Sequence, residues 1–97
     1  MLTLADLIAF SGLSEGEILA IAEHENVPEA AACSLAEYLS QDTAGEVTIR
    51  DMIIDDIRTA QVRGDRDHVR ELLHVLHHFL RTHPDARPEQ HPWSSQF

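Results

Sequence analysis

Apolar residues recur at spacings of three and four along most of this 97-residue chain, which is the period of an amphipathic helix. A long helix is predicted from about Val47 to Arg63, and its apolar face comprises Ile49, Met52, Ile53, Ile57 and Ala60. A last helix is predicted from a cap at Asp65 to about Thr82, with an apolar face made of Val69, Leu72, Leu73, Leu76, Phe79 and Leu80. Because only a short turn around Gly64 separates the two helices, we expect an antiparallel hairpin.

Shorter helices are predicted before this hairpin. The pairs Thr3-Asp6 and Ser14-Glu17 have the spacing of capping boxes, and Pro28 is suited to the first turn of a helix. The predicted ranges are about Leu4–Phe10, Ser14–Glu25 and Pro28–Ser40, followed by a loop over residues 41–46 that contains Gly45. The inward positions of the second and third helices are Ile18, Ile21, Ala22, Ala31, Ala32, Leu35, Tyr38 and Leu39.

The predicted fold is all-α, a compact bundle of four to five helices in which helix-turn-helix-like short helices precede the hairpin. One folded domain is expected over residues 1–83, and the three prolines of residues 84–97 predict a disordered tail. No apolar run approaches the roughly 20 residues that span a bilayer, and no cationic leader precedes the first helix. A single cysteine, Cys33, excludes an internal disulfide and leaves the compartment undecided, with a reducing cytoplasm favoured.

Charge is distributed unevenly along the chain. The first 49 residues contain nine Asp or Glu and no Lys or Arg, and the whole chain has a formal charge of −10. Such a field repels nucleic acid and anionic membranes and attracts basic protein surfaces. The helix-turn-helix spacing around Gly12 therefore does not predict DNA binding, because the second helix begins with Ser14-Glu15-Gly16-Glu17 and offers no cation to a phosphate.

One pattern in the last helix suggests metal binding. Glu71 and His74 form an E-x-x-H pair and His78 follows one turn later, so three potential ligands share one side of the helix. That side is opposite the apolar face, which excludes an inward metal site of the di-iron type. A surface zinc or nickel site, or a site completed across a dimer, is left open beside the alternative of a solvated polar face.

Other positions depart from the helical pattern. Asp56 interrupts the apolar face of the long helix, so its carboxyl group must be paired, cap another helix or reach solvent, unless it is a buried acid or metal ligand. Val47 and Ile54 lie away from that face and are candidates for a second contact, including a homodimer interface. Trp93 in the predicted tail is a candidate anchor for a partner. The Glu23-His24-Glu25 cluster lacks any catalytic motif, so no catalytic residue or cofactor is predicted.

Several segments resemble short all-α bacterial hypothetical proteins of proteobacterial type, a group without an established activity. The similar segments are Gly12-Leu13-Ser14, Glu17-Ile18, Ala20–Glu25, Val27-Pro28-Glu29, Met52–Ile57 and Arg63-Gly64-Asp65. The resemblance covers residues 2–83; it implies a cytoplasmic helical protein and assigns no catalytic residue.

Together these features predict a non-enzymatic adaptor that binds another protein through a basic surface of that protein, with no part for nucleic acid or membrane. The predicted contact residues are Glu15, Glu23, Glu25, Glu37, Val47, Ile54 and Trp93. The alternative is a metal-binding protein that holds a divalent transition metal with Glu71, His74 and His78.

Overall fold

The computed structural model describes residues 1–87, and within them it confirms the all-α prediction. The helices are α1 (Leu4–Ser11), α2 (Glu15–Glu25), α3 (Glu29–Leu39), α4 (Thr43–Arg63) and α5 (Arg66–Thr82), followed by a 3₁₀ turn at Pro84–Ala86. No β-strand occurs within this range. None of the helices in the described part of the chain is both long enough and apolar enough to cross a membrane.

Both predicted capping boxes are present. The Thr3 hydroxyl accepts a hydrogen bond from the Asp6 amide, and the Asp6 carboxylate accepts one from the Thr3 amide, each at 3.1 Å. At the start of α2, Glu17 Oε1 accepts from the Ser14 amide at 2.9 Å, and the Ser14 hydroxyl accepts from the Glu17 amide. These local bonds satisfy amides that have no partner inside the helix, which fixes where α1 and α2 begin.

The predicted loop over residues 41–46 is wrong, because α4 already begins at Thr43. Asp42 caps this helix, and its Oδ1 accepts a hydrogen bond from the Gly45 amide at 2.7 Å. Gly45 is buried in the first turn, where a Cβ atom would overlap the backbone carbonyl group of Leu39 at the end of α3. Gly45 therefore permits close contact between α3 and α4 and does not break the helix.

The predicted helical hairpin is confirmed. The chain reverses at Gly64, which has a φ of +73°, and the Asp65 carboxylate caps α5 by accepting from the His68 amide at 3.2 Å. Helix α5 packs along α4, and α2 lies against both of them, whereas α1 packs mainly on α3. The fully buried large side chains at the centre of the bundle are Phe79, Ile18, Ile21, Ile49, Ile53 and Glu17.

Three residues predicted to face inward are exposed. Tyr38 is 70% exposed and Leu73 is 51% exposed, and Ala31 also lies on the surface. In α3 the buried positions are the small residues Ala32, Cys33 and Ala36, so the helix packs through a narrow face that leaves Tyr38 outside. A helical wheel gives the width of an apolar face, but the neighbouring helices decide how much of it is covered.

The folded domain extends beyond the predicted boundary at residue 83. Ala86 is fully buried, and its carbonyl oxygen accepts a hydrogen bond from Arg50 Nη1 at 2.9 Å. Arg87 Nε donates to the carbonyl oxygen of Leu80 at 3.3 Å. These contacts attach the 3₁₀ turn to α4 and α5, so the start of the predicted tail belongs to the folded domain. Residues 88–97, including Trp93, lie outside the described residues.

Candidate functional site

A histidine on α2 connects that helix to α4. His24 Nδ1 lies 2.8 Å from Glu25 Oε2, and His24 Nε2 lies 3.1 Å from Asp55 Oδ2. Since a carboxylate can only accept, both ring nitrogens must donate, which requires the imidazolium form. Partial burial lowers the pKa of His24, but the hydrogen bonds with Glu25 and Asp55 outweigh that effect and raise the pKa above its ordinary value.

A second histidine connects α2 to α5 in the same way. His68 Nε2 lies 2.6 Å from Glu23 Oε1, and His68 Nδ1 lies 3.4 Å from Glu71 Oε2. Burial again opposes the charged form, while the bond and the charge of Glu23 raise the pKa of His68 above its ordinary value. Helix α2 is thus joined to each helix of the hairpin by an imidazolium between two carboxylates.

Asp56 lies between these two histidine bridges. Its side chain is buried at 4% exposure, and Oδ2 has no hydrogen-bond partner among the described residues. Burial raises the pKa of Asp56 to about 7, and the negative charge of Glu23 adds to this effect, whereas His24 and His68 oppose it. The sequence pattern correctly marked Asp56 as an exception in an apolar face, but no pairing or capping contact to Oδ2 accounts for it.

Asp56 is the buried wall of an open cleft between α2 and α4. The cleft has a volume of about 600 Å³ and is lined by Glu23, His24, Asp55, Asp56, Arg58, Thr59 and Arg63. We call it the Asp56 cleft. Its outer residues are charged and solvated, so a buried carboxyl group without a hydrogen-bond donor stands at the back of a site that solutes can enter.

The three predicted metal ligands do not come together. His78 Nδ1 lies 2.7 Å from Glu17 Oε2, and Glu71 contacts His68, whereas His74 is exposed. Within residues 1–87, no group of three or more His, Cys, Asp or Glu side chains is arranged to hold a metal ion. A site shared across a dimer stays a prediction.

The role of Glu17 was only partly predicted from the sequence. It was expected to cap α2, and it does, but it is also fully buried and bonds to His78 on α5. The available signal was its position next to Ile18 and one turn before Ile21, on the inward side of α2. Burial of this carboxylate is compatible with stability because both of its oxygens have partners.

The predicted partner contacts divide into three groups. Glu15 and Glu37 are exposed and make no ion pair with other described residues. Glu23 and Glu25 are exposed as well, but each is bonded to a histidine, Glu23 to His68 and Glu25 to His24. The remaining predicted contacts are the half-buried Val47 and Ile54, and Trp93, which lies outside the described residues.

The first half of the chain also exposes large apolar side chains. Phe10 is 64% exposed and Tyr38 is 70% exposed, and they stand on α1 and α3, which pack against each other. The other exposed large apolar residues of this half are Met1, Leu2, Leu4 and Leu19. We refer to the exposed residues Phe10, Tyr38, Glu15 and Glu37 of α1–α3 together as the acidic-apolar surface. The charge of this surface was predicted from the sequence, but the exposure of its aromatic residues was not.

Cys33 does not act as an exposed nucleophile in this arrangement. It is buried at 3% exposure, and burial together with the negative charge of Glu29 raises the pKa of its thiol. A raised thiol pKa disfavours the reactive thiolate.

No protein-family model, curated protein or solved structure matches this chain, so its resemblance to bacterial hypothetical proteins stays a prediction.

Proposed function

We propose that this protein is a non-enzymatic helical module that binds a partner protein through the acidic-apolar surface. The observation that carries this proposal is the exposure of Phe10 and Tyr38 in the part of the chain that has no Lys or Arg. When a partner covers an exposed aromatic side chain, apolar surface is removed from water, which favours binding. Aromatic residues are also enriched among the residues that dominate binding energy. The surface therefore combines apolar anchors with charged side chains, as binding surfaces commonly do.

The charge of this surface indicates the kind of partner. Nine carboxylates and no basic residues other than His24 lie within the first 49 residues, so a surface rich in Lys or Arg is complementary to it. Glu15 and Glu37 are available for such contacts because they do not pair with described residues. Nucleic acid and anionic membranes have the same sign of charge and are disfavoured.

The proposal is tested by affinity capture from the native host, followed by binding measurements with the purified captured protein. The test variant replaces Phe10 and Tyr38 with serine. The control is Val62→Ser, because Val62 is 89% exposed but lies on the hairpin, outside the acidic-apolar surface. We expect the double variant to weaken binding at least about tenfold and the control to leave it unchanged.

Salt provides an independent criterion. Binding that depends on charge complementarity should weaken when ionic strength rises from about 50 to 500 mM, because the screening length falls to a few ångströms. Circular dichroism of both variants verifies that the fold is retained. Equal binding by the double variant and the wild type, together with no dependence on salt, would show that this surface is not the binding site.

A further inference from the structure

Asp56 is unfavourable for the stability of the fold, because its side chain is buried and one of its oxygens has no hydrogen-bond partner among the described residues. A buried polar atom without a hydrogen-bond partner costs about 1–3 kcal/mol, and such groups are rare in folded proteins. Asp56 Oδ2 is such an atom, and Asp56 lines an open cleft. Oδ2 is closed to solvent in this conformation, but Asp56 lines the cleft, so a small rotation of the carboxyl group would present this acceptor to a donor that arrives with a ligand.

The surrounding charges specify the charge of that ligand. Two carboxylates act on Asp56, Glu23 on α2 and Asp55 on α4, and both disfavour its ionised form. The positive charges of His24 and His68 oppose them. The set is balanced while Asp56 is protonated, and ionisation of Asp56 leaves a single uncompensated negative charge. A ligand with one positive charge therefore fits better than a divalent ion.

Arg58 of the cleft lining does not already supply this charge to Asp56. Arg58 has a side chain that is 73% exposed, and its ion pair is with Asp55 at 3.9 Å. At that distance and exposure the pair is weak, and it leaves Asp56 Oδ2 without a donor.

The form of the cation follows from hydration and geometry. A guanidinium group is planar, carries five N–H donors and is more weakly hydrated than an ammonium group, so it enters a partly buried carboxylate site at a lower desolvation cost. A cleft of about 600 Å³ is large enough for the end of an arginine side chain. No arrangement of three or more metal ligands exists within residues 1–87 to favour a metal ion instead.

We propose that the Asp56 cleft binds the guanidinium group of an arginine presented by the partner protein, with Asp56 as its carboxylate acceptor. This inference rests on the proposed function, since it names an anchoring residue of the basic partner. On binding, Asp56 loses its proton to solvent and the guanidinium replaces it as the compensating charge. Protons and arginine therefore compete for the cleft.

The test uses the full chain and small probes, so it does not depend on finding the partner. N-acetyl-arginine methylamide is titrated into ¹⁵N-labelled protein, and the neutral citrulline analogue, which has a urea group in place of guanidinium, is the matched control probe. We expect saturable shifts of the amides of residues 23, 24, 55 and 56 with the arginine probe only. The apparent Kd should be about 30-fold weaker at pH 5.5 than at pH 8, given a pKa of about 7 for Asp56.

Two variants complete the test. Asp56→Asn should abolish the shifts, and Asp51→Asn, which removes a carboxylate from the exposed side of the same helix, should leave them unchanged. Identical shifts with the citrulline probe, retained binding in Asp56→Asn or no saturation at tens of millimolar arginine probe would each overturn the inference. If the probe fails while the captured partner still depends on Phe10 and Tyr38, the proposed function stands and only the arginine anchor is rejected.

Discussion

Replacement of Asp56 by asparagine should stabilise the protein, and the gain should grow with pH. Asparagine has nearly the same shape but carries no charge at any pH, so the substitution removes only the ionisation of a carboxyl group that is 4% exposed. The pKa of Asp56 rises from 3.8 to about 7 on folding. A group with a raised folded-state pKa contributes stability that is fully present below its unfolded pKa and is lost as pH rises through its folded pKa.

The size of the effect follows from these two values. One pKa unit corresponds to about 1.4 kcal/mol, so ionisation of Asp56 costs the folded state about 4 kcal/mol once the pH is well above 7. Between pH 5 and pH 8 the wild type should lose about 2.5 kcal/mol through this group. His24 and His68 also have raised pKa values and lose stability in the same direction, but they are present in both proteins and largely cancel in the comparison.

The measurement is urea unfolding followed by circular dichroism for wild type, Asp56→Asn and the control Asp51→Asn at pH 5, 6, 7 and 8. The difference in unfolding free energy between Asp56→Asn and wild type should increase by about 2–3 kcal/mol from pH 5 to pH 8. Asp51→Asn should show no such increase, because its carboxylate is exposed and paired with Arg50. A pH-independent difference between Asp56→Asn and wild type would refute the reasoning.

Further substitutions test individual contacts of the fold. Gly45→Ala should cost more than about 2 kcal/mol of unfolding free energy, because its Cβ would overlap the Leu39 backbone, whereas Gly16→Ala meets only a Val75 methyl carbon at 3.1 Å and should be nearly neutral. Glu17→Ala should cost about 2–4 kcal/mol through loss of a cap and of a buried bond, and the matched change Glu15→Ala on the surface should stay within about 0.5 kcal/mol. Arg50→Ala should release the 3₁₀ turn and speed hydrogen exchange at Arg87, whose amide donates to Pro84. Denaturant unfolding checks the first two pairs, and unchanged stability in Gly45→Ala or Glu17→Ala would contradict the packing described.

The parts of the fold that depend on residues close together in the sequence were predictable from it. The Thr3 and Ser14 capping boxes act within four residues, so their spacing alone places the starts of α1 and α2. Gly64 predicted the hairpin turn because glycine is common where a helix ends, and it has the positive φ expected at that position. Gly45 was misread because a glycine that breaks a helix and a glycine that admits a neighbouring backbone look the same in one sequence.

The candidate site could be predicted only in part. The helical period located Asp56 within an apolar face, because that requires nothing beyond the sequence of α4. The partners that define its environment come from distant segments, Glu23 on α2 and His68 on α5, which are 45 residues apart. Likewise, His78 looked like a metal ligand from its own helix, whereas its contact with Glu17 is 61 residues away in the chain. Such pairings are set by packing and leave no local pattern.

The most direct test of the account is the ionisation of Asp56 itself. A ¹³C-detected NMR titration that follows the side-chain carboxyl carbon of Asp56 measures its pKa in the folded protein, with Asp56→Asn used to assign the signal. The midpoint should lie near pH 7, because burial and Glu23 disfavour the carboxylate. A midpoint near 4 would contradict it, since Asp56 would then be an ordinary ionised carboxylate and the charge balance inferred for the cleft would be wrong.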